Sequence, residues 1–366
     1  MQSDTFYKIA LGLVPKVGAI TAKKLITHLG SAEAVFESKP AELEKIPGIG
    51  PQLARQVSDA QVLKRAETEC TLAEQHGIRI LSAEDAAYPD RLRHNRDSPL
   101  VLYVKGQTEL NGSRMVAIVG TRKPSPQGIY NCERIVEELL DYQVTIISGM
   151  AYGIDICAHR AAVRHQLPTW GVMAHGHQYL YPAAHKKVAR QMLEQDGSLL
   201  SEYSFSTRAE KEFFPMRNRI VAGLCDALIV VETAKRGGSM ITAQLANQYY
   251  RDVFAFPGRV NDPLSKGCNL LIKGHQAALL ESAADLAYVL RWKTTKNPQG
   301  LQQELFLELS EEEKIIVDLL RQRDQLGIDD LAMKLDTTSS QISTILLNLE
   351  FKNLIKSLPG SRYTLI

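Results

Sequence analysis

Residues 116–128, VAIVGTRKPSPQG, carry the clearest indication of the fold. Four apolar residues run into Gly120, a pattern typical of a buried parallel strand and the turn that follows it. Arg122 comes two residues after that glycine, where a dinucleotide-binding turn would usually have a further glycine. The turn therefore carries a fixed positive charge at the end of the strand.

The same pattern continues along the chain. Between Arg114 and Leu290, apolar runs alternate with segments of helical periodicity; the runs are MVAIVG, VTIISG, TWGVMA, SLLSEY, DALIVVE and DVFAFPG. Repeated strand–helix units predict an α/β fold with a Rossmann-like, doubly wound and mostly parallel sheet, whose ligands bind at the carboxyl ends of the strands. We place its core at residues 113–290, within an extended domain of residues 71–292.

The N-terminal segment contains an internal repeat. Residues 14–25, VPKVGAITAKKL, align with residues 46–57, IPGIGPQLARQV. An apolar residue, a turn and a helix in each copy predict a helix-hairpin-helix, SAM-like domain over residues 1–70. The turn amides of such a pair can face a phosphate, or the pair can be a packing module without a ligand. The sequence leaves both interpretations open.

A linker and a small C-terminal domain follow the sheet. Residues 293–303, KTTKNPQGLQQ, are polar with Pro and Gly, and residues 304–366 show the three helices and strands of a winged helix. From Glu308 onward there are seven Lys/Arg against ten Asp/Glu, and the candidate recognition helix from Thr338 to Phe351 has no basic residue. Because phosphate binding needs cations, we expect this domain to have a protein-docking or an autonomous accessory role rather than to read duplex DNA.

Composition narrows the function classes. The net charge of the 366-residue chain is +2, so a nucleic-acid hypothesis depends on where the cations lie. The 5 cysteines form no CxxC pair, which favours a reducing compartment. A leader pattern and an apolar run of about 20 residues are both absent from the sequence. We therefore expect a cytoplasmic protein with no membrane span.

The dinucleotide fingerprint is missing. It requires GxGxxG in the first turn and an acid at the end of the second strand. That strand ends in residues 148–150, Ser-Gly-Met, with no carboxylate before Asp155, so NAD is not expected and no cofactor is predicted. Asp155 and His159 have metal-ligand spacing without a third ligand, so we predict no metal and interpret Asp155 as a cap or pocket brace.

Positive charge recurs at the strand ends instead. Two turns that open helices, Gly149 to Gly153 and Gly237 to Ser239, lie near these cations in the predicted topology. Backbone amides combined with arginines suit a chain of phosphates. The cations are Arg122, Lys123, Lys211, Arg217, Arg219, Lys235, Arg236 and Arg259.

These segments together resemble the DprA (Smf) family of DNA-processing proteins. The motifs that carry the resemblance cover nearly the whole chain; in order they are GTR, SGMAYGID, SEY, KEFFPMRNRIVAGL, GGSMITA, VFAFPG and GCNLLIKG. The resemblance implies a homodimer that binds single-stranded DNA through its Rossmann-like domain. It also implies that the protein protects incoming DNA and loads the RecA recombinase onto it during natural transformation and recombination, without enzymatic activity.

The resemblance also assigns site residues. Phe214 could stack on a base or belong to the core, Arg217 and Asn218 could contact phosphate or brace the pocket, and Arg219 could form a structural ion pair. The predicted DNA-binding residues are Gly120, Thr121, Arg122, Lys211, Phe214, Arg217, Asn218, Arg219, Gly238, Ser239 and Thr242, with Gly149 and Gly153 in a pocket turn.

One loop departs from the family pattern, and one alternative function stays open. The loop AHGHQYLYPAAHKK, residues 174–187, has His185 where the family usually has asparagine, so its contribution is open; we interpret its histidines as part of a variable polar loop. The alternative is a nucleotide-processing enzyme of the lysine-decarboxylase-like phosphoribohydrolase type. Its motif PGGxGTxxE carries a glutamate that the string RGGSMITAQ lacks, which favours the DNA binder.

Overall fold

In the computed structural model the chain divides into two compact units, Met1–Thr295 and Lys296–Ile366. The predicted boundary at residue 70 falls inside a continuous helix, and residues 295–309, which include most of the predicted linker, lie outside the described residues. The structure describes residues 4–107, 109–112, 114–294, 310–322, 325–335, 337–351, 354–358 and 362–365.

The first unit begins with a helical module in which both copies of the sequence repeat adopt the same backbone. The helix of the first copy starts after Gly18 and the helix of the second copy after Gly50. The residues two positions earlier, Lys16 and Gly48, both have left-handed backbone, with φ of 67° and 84°. The helices are α1 (Asp4–Leu13), α2 (Ala19–Leu29), α3 (Ala32–Glu37), α4 (Pro40–Leu43), α5 (Pro51–Val57) and α6 (Ala60–Gln75).

Two lysines of the first copy are used inside the unit. The ammonium of Lys24 donates to the carbonyl of Pro47, in the turn of the second copy. Lys23 Nζ donates to Ser98 Oγ at 2.6 Å, which ties the helical module to the segment before the second strand of the sheet. Both cations therefore have partners within the first unit, Lys24 inside the helix-hairpin-helix pair and Lys23 outside it.

The sheet is doubly wound, as predicted. Its strands, within the described residues, are β1 (Ile78–Ser82), β2 (Val101–Lys105), β3 (Met115–Val119), β4 (Thr145–Gly149), β5 (Thr169–Val172), β6 (Ser198–Ser201), β7 (Ala227–Val230), β8 (Asp252–Ala255) and β9 (Ala278–Leu279). They are ordered β1-β2-β6-β5-β4-β3-β7-β8-β9. The pairs β1–β2 and β2–β6 are antiparallel and the other neighbours are parallel.

The strand order places a crevice at one point of the sheet. The chain runs from β3 outward through β4, β5 and β6, and then returns to the other side of β3 as β7. Connections leave β3 and β7 in opposite directions, which is the topological switch point where ligands of such sheets bind. The helices of this part are α7 (Asp90–Arg93), α8 (Pro126–Glu138), α9 (Ile154–Arg164), α10 (Lys186–Glu194), α11 (Phe213–Leu224), α12 (Gly238–Gln248), α13 (Lys266–Lys273) and α14 (Ala283–Leu290).

Strand β3 is apolar throughout because both of its faces are covered. Met115, Ala117 and Val119 pack against α11 and α12 in one core cluster. Val116 and Ile118 point to the other face and pack against α8 and α9. All five side chains of the strand are buried, which explains the unbroken apolar run before Gly120.

The second unit confirms the predicted winged helix. In its described part a small sheet has the order β10-β12-β11, and Ile316, Leu331, Ile342 and Leu346 form a buried core. Among the described residues of the whole chain, none of the helices is long and apolar enough to cross a membrane. The elements are α15 (Glu311–Gln322), β10 (Leu326–Gly327), α16 (Ile328–Leu335), α17 (Ser339–Phe351), β11 (Ile355–Leu358) and β12 (Arg362–Leu365).

The paired turns of the repeat generate a stability prediction. Left-handed backbone costs a residue with a Cβ about 1–2 kcal/mol, whereas glycine costs roughly 0.4–1 kcal/mol through the unfolded chain. Lys16→Gly should therefore raise the free energy of unfolding by about 0.5–1 kcal/mol, and Gly48→Ala should lower it by about 1 kcal/mol. Urea unfolding followed by circular dichroism measures both; a Lys16→Gly protein less stable than wild type would contradict this account.

Candidate functional site

A cleft of about 670 Å³ lies at the switch point, over the carboxyl ends of β3 and β7. The structure brings eleven of the thirteen predicted site residues together in its lining, and it leaves out Gly153 and Arg219. Asp155, interpreted from the sequence as a cap or pocket brace, also lines the cleft, as does Tyr181, which the sequence prediction did not include. The predicted residues in the lining are Gly120, Thr121, Arg122, Gly149, Lys211, Phe214, Arg217, Asn218, Gly238, Ser239 and Thr242.

The turn after β3 has a fixed backbone. Thr121 N donates to Glu232 O at the end of β7 at 2.7 Å, and Ile154 N donates to Thr121 O at 3.1 Å. Gly153 immediately precedes Ile154, so the predicted pocket turn supports the Thr121 backbone. Arg122 itself is exposed, and its Cζ lies 5.2 Å from the ring centroid of Phe214. The turn thus presents a guanidinium over an aromatic face.

The N-terminus of α8 is occupied from within the protein. The Glu232 carboxylate accepts hydrogen bonds from the backbone N–H of Ser125, at 2.8 Å, and from its hydroxyl. Ser125 Oγ in turn accepts from Gly128 N at 3.1 Å. A dinucleotide-binding sheet places its pyrophosphate at this helix terminus, so a dinucleotide would have to displace Glu232.

The floor of the cleft contains a buried guanidinium, that of Arg217, and a buried carboxyl group, that of Asp155. Arg217 is 4% exposed; its guanidinium donates to Val172 O and, through Nε, to Asn218 Oδ1 at 3.3 Å. A Cβ on residue 149 would lie 2.5 Å from Arg217 Nη2, so Gly149 makes room for the guanidinium. Burial raises the pKa of Asp155 to about 6, against the opposing effects of Arg217 and Arg122. The geometry favours the bracing role for both Arg217 and Asp155.

The geometry favours for Arg219 the structural ion pair that the sequence left open, rather than the predicted DNA contact. Its guanidinium is buried in an ion pair with Glu202, outside the cleft lining. Residues two apart on a helix point about 200° away from each other, so Arg219 faces away from Arg217. Arg217 and Arg219 are close in sequence, but they lie on different faces of α11.

The first turn of α12 contributes backbone more than side chains. Ser239 and Thr242 are buried. Ser239 Oγ donates to Thr233 Oγ1 at 2.7 Å and Thr242 Oγ1 donates to Gly238 O at 3.4 Å. Gly238 is exposed at the start of the helix, where backbone N–H groups lack intrahelical acceptors. This turn therefore offers an amide surface to an anion in the cleft.

The histidines of the loop at residues 174–187, interpreted as variable and polar, and His159 on α9 have specific structural partners. His175 Nε2 accepts from Tyr181 N at 3.1 Å, and His185 Nδ1 donates to Met150 O at 2.9 Å. His159 Nδ1 lies 2.7 Å from Thr169 Oγ1, and burial lowers the pKa of His159 to about 3. Within the described ranges, no group of three or more His, Cys, Asp or Glu side chains could hold a metal ion.

Comparison with protein families divides the chain in the same order as its elements. Residues 79–291 match the model for DNA recombination-mediator protein A. Residues 8–60 match a helix-hairpin-helix motif, and residues 305–361 match the DprA winged helix domain.

Individual proteins show the same similarity. Protein Smf of Escherichia coli strain K12 is 32% identical over 306 residues, which cover 81% of this chain and 80% of the relative. The DNA processing protein DprA of Streptococcus pneumoniae is 40% identical over 202 residues, covering 55% of this chain and 71% of the relative.

Two solved structures are similar. The X-ray structure of DNA processing protein A from Streptococcus pneumoniae gives a TM-score of 0.61 at 30% identity, covering 80% of this chain and 99% of the other. A structure of DNA processing protein A from Helicobacter pylori, described by its single-stranded DNA binding mode, gives 0.53 at 32% identity, covering 59% of this chain and 98% of the other.

Asp155 generates a pH prediction. Its pKa of about 6 in the folded protein exceeds the unfolded value of about 3.9, so its stabilising contribution is complete below about pH 4 and is lost as pH rises through about 6. The unfolding free energy of Asp155→Asn, relative to wild type, should therefore increase by an amount on the order of 2 kcal/mol between pH 4 and 7. Urea unfolding at several pH values measures it, with exposed Asp252→Asn as the control. A pH-independent difference would contradict the assignment.

Proposed function

Because the chain belongs to the DprA (Smf) family of DNA recombination-mediator proteins, we propose that it binds single-stranded DNA in the cleft between β3 and β7. The main support for this proposal is the position of Arg122. A fixed turn holds this residue in the lining of the cleft, with its guanidinium over the ring of Phe214. Lys211 lines the same cleft and supplies a second cation. A single strand needs both cations for its phosphates and aromatic faces for its bases.

The arrangement favours a single strand over a duplex. Phe214 is half-buried beside Arg122 and Tyr181, so a base must leave its neighbours to reach the ring. An unpaired strand does this at low cost, whereas a duplex must first be unstacked and unpaired at a cost of a few kcal/mol. The similar structure of DNA processing protein A from Helicobacter pylori, described by its single-stranded DNA binding mode, supports the proposal of a single strand as the ligand.

We further propose that the protein acts as a homodimer and passes the bound strand to the RecA recombinase during natural transformation and recombination. The match to a recombination-mediator family supports this role. Sedimentation at micromolar concentration tests the dimer. The rate at which RecA filaments form on a fluorescent strand tests the transfer. A monomer would overturn the first proposal, and an unchanged filament rate would overturn the second.

The direct test of strand binding changes the two cations of the cleft. Arg122→Glu should weaken affinity for oligothymidylate strongly, and adding Lys211→Glu should weaken it further, because each reverses a charge that contacts phosphate. Arg122→Ala should also reduce the log–log salt slope by about 0.7, the value for one lost phosphate contact on a single strand. Fluorescence anisotropy over a salt series measures both quantities.

Controls separate binding from folding and from other ligands. Lys64→Glu reverses an exposed charge on α6, outside the cleft lining, and should leave affinity unchanged. A folded Arg122→Ala protein with wild-type affinity and slope would show that the turn does not hold the strand. Tight binding of AMP or NAD, without strand binding, would instead favour a nucleotide-processing enzyme.

A further inference from the structure

The loop after β5 presents two exposed tyrosines beside the cleft. Tyr179 is 39% exposed and Tyr181 is 52% exposed, while Leu180 between them packs against the buried cluster of Met173 and Val188. The side chains of residues 179–181 thus alternate outward, inward, outward. Leu180 anchors the segment, and the two phenol rings remain at the surface.

Hydrogen bonds fix the backbone on either side of these rings. Ser201 Oγ donates to His175 O at 2.7 Å, and Gln178 N donates to Phe205 O at 2.9 Å. His175 Nδ1 donates to Gly176 O, which leaves Nε2 free to accept from Tyr181 N. Burial lowers the pKa of His175 and so keeps it in this neutral form. Because the loop is already ordered, a ligand that contacts it has little ordering entropy to overcome.

The tyrosines continue the arrangement of the cleft. Tyr181 lines the cleft, and its ring meets that of Phe214 at 5.9 Å with an interplanar angle of 62°. The ring of Tyr179 lies 5.6 Å from Arg208 Cζ. Arg208 belongs to the same segment as Lys211, which lines the cleft. Aromatic rings and cations therefore run side by side from the cleft onto the loop.

The charge around the rings indicates what binds them. Single exposed apolar side chains are common on protein surfaces and carry no information by themselves. Here the two rings stand beside Arg208, and the loop continues into exposed Lys186 and Lys187. Cations around exposed aromatic rings match a polyanion with flat bases, whereas an apolar protein partner would not require them.

We propose that a single strand held in the cleft continues onto this loop, where successive bases stack on Tyr181 and then Tyr179. This inference rests on the proposed function and adds a second element to it: the cleft binds phosphates, and the loop binds bases. The loop that departs from the family pattern at His185 is then a stacking platform. His185 supports it through its bond to Met150 O.

The test compares strands that differ in bases but share the same phosphates. Wild type should bind an oligothymidylate of about 16 nucleotides more tightly than an abasic strand of the same length. The double variant Tyr179→Ala/Tyr181→Ala removes both stacking surfaces and should lose roughly thirtyfold or more in affinity for the oligothymidylate, with an unchanged salt slope. It should bind the abasic strand as wild type does. The Phe replacements, Tyr179→Phe/Tyr181→Phe, should retain wild-type affinity.

The outcomes separate this inference from the proposed function. Tyr288, 86% exposed on α14, provides a matched control in Tyr288→Ala, which should bind like wild type. If the double alanine variant keeps wild-type affinity for oligothymidylate while Arg122→Glu loses it, base stacking on the loop is overturned and strand binding in the cleft is retained. Equal weakening on the abasic strand also overturns it, since that loss cannot come from stacking. Absence of strand binding by wild type overturns both proposals.

Discussion

The hydrogen bond from Thr121 N to Glu232 O joins the ends of β3 and β7 at the point where the strand order reverses. The bond gives the turn after β3 one backbone conformation, and Ile154 N completes it from the turn after β4. The segments after three strands, β3, β4 and β7, therefore fix the backbone from which the Arg122 side chain extends. A long and flexible side chain gains a defined starting point in this way, and less entropy is lost when it binds an anion.

Glu232 also changes which anion site the sheet offers. Its carbonyl holds the turn, while its carboxylate occupies the N-terminus of α8. A phosphate at a helix terminus is bound by backbone amides at a single point. With that terminus occupied, the exposed guanidinium of Arg122 remains, together with the amide surface at α12. A guanidinium at a cleft rim can bind any phosphate of a chain, which suits a polymer better than a dinucleotide.

The fold was readable from the sequence where one interaction dominates. The apolar run of β3 predicts a strand covered on both faces. The repeat predicts the same turn in both copies, and both turns have left-handed backbone, although the first has Lys16 where the second has Gly48. The site was less readable. Arg219 was assigned to the cleft because chain proximity does not show which face of α11 a side chain occupies. Tyr181 was missed because its place in the cleft depends on its contact with Phe214, which lies on α11 and is distant in sequence.

The charges of the cleft argue that aromatic contacts must supply part of the proposed strand affinity. Arg217 is buried in the floor of the cleft and donates to Val172 O, so its charge is not presented to a strand at the surface. Arg122 and Lys211 remain as lining cations, and two phosphate contacts correspond to a log–log salt slope of about 1.4 on a single strand. Electrostatic affinity of that size falls steadily as salt rises. Base stacking depends little on ionic strength, so Phe214 and the tyrosines of the neighbouring loop can hold a strand under conditions that weaken its phosphate contacts.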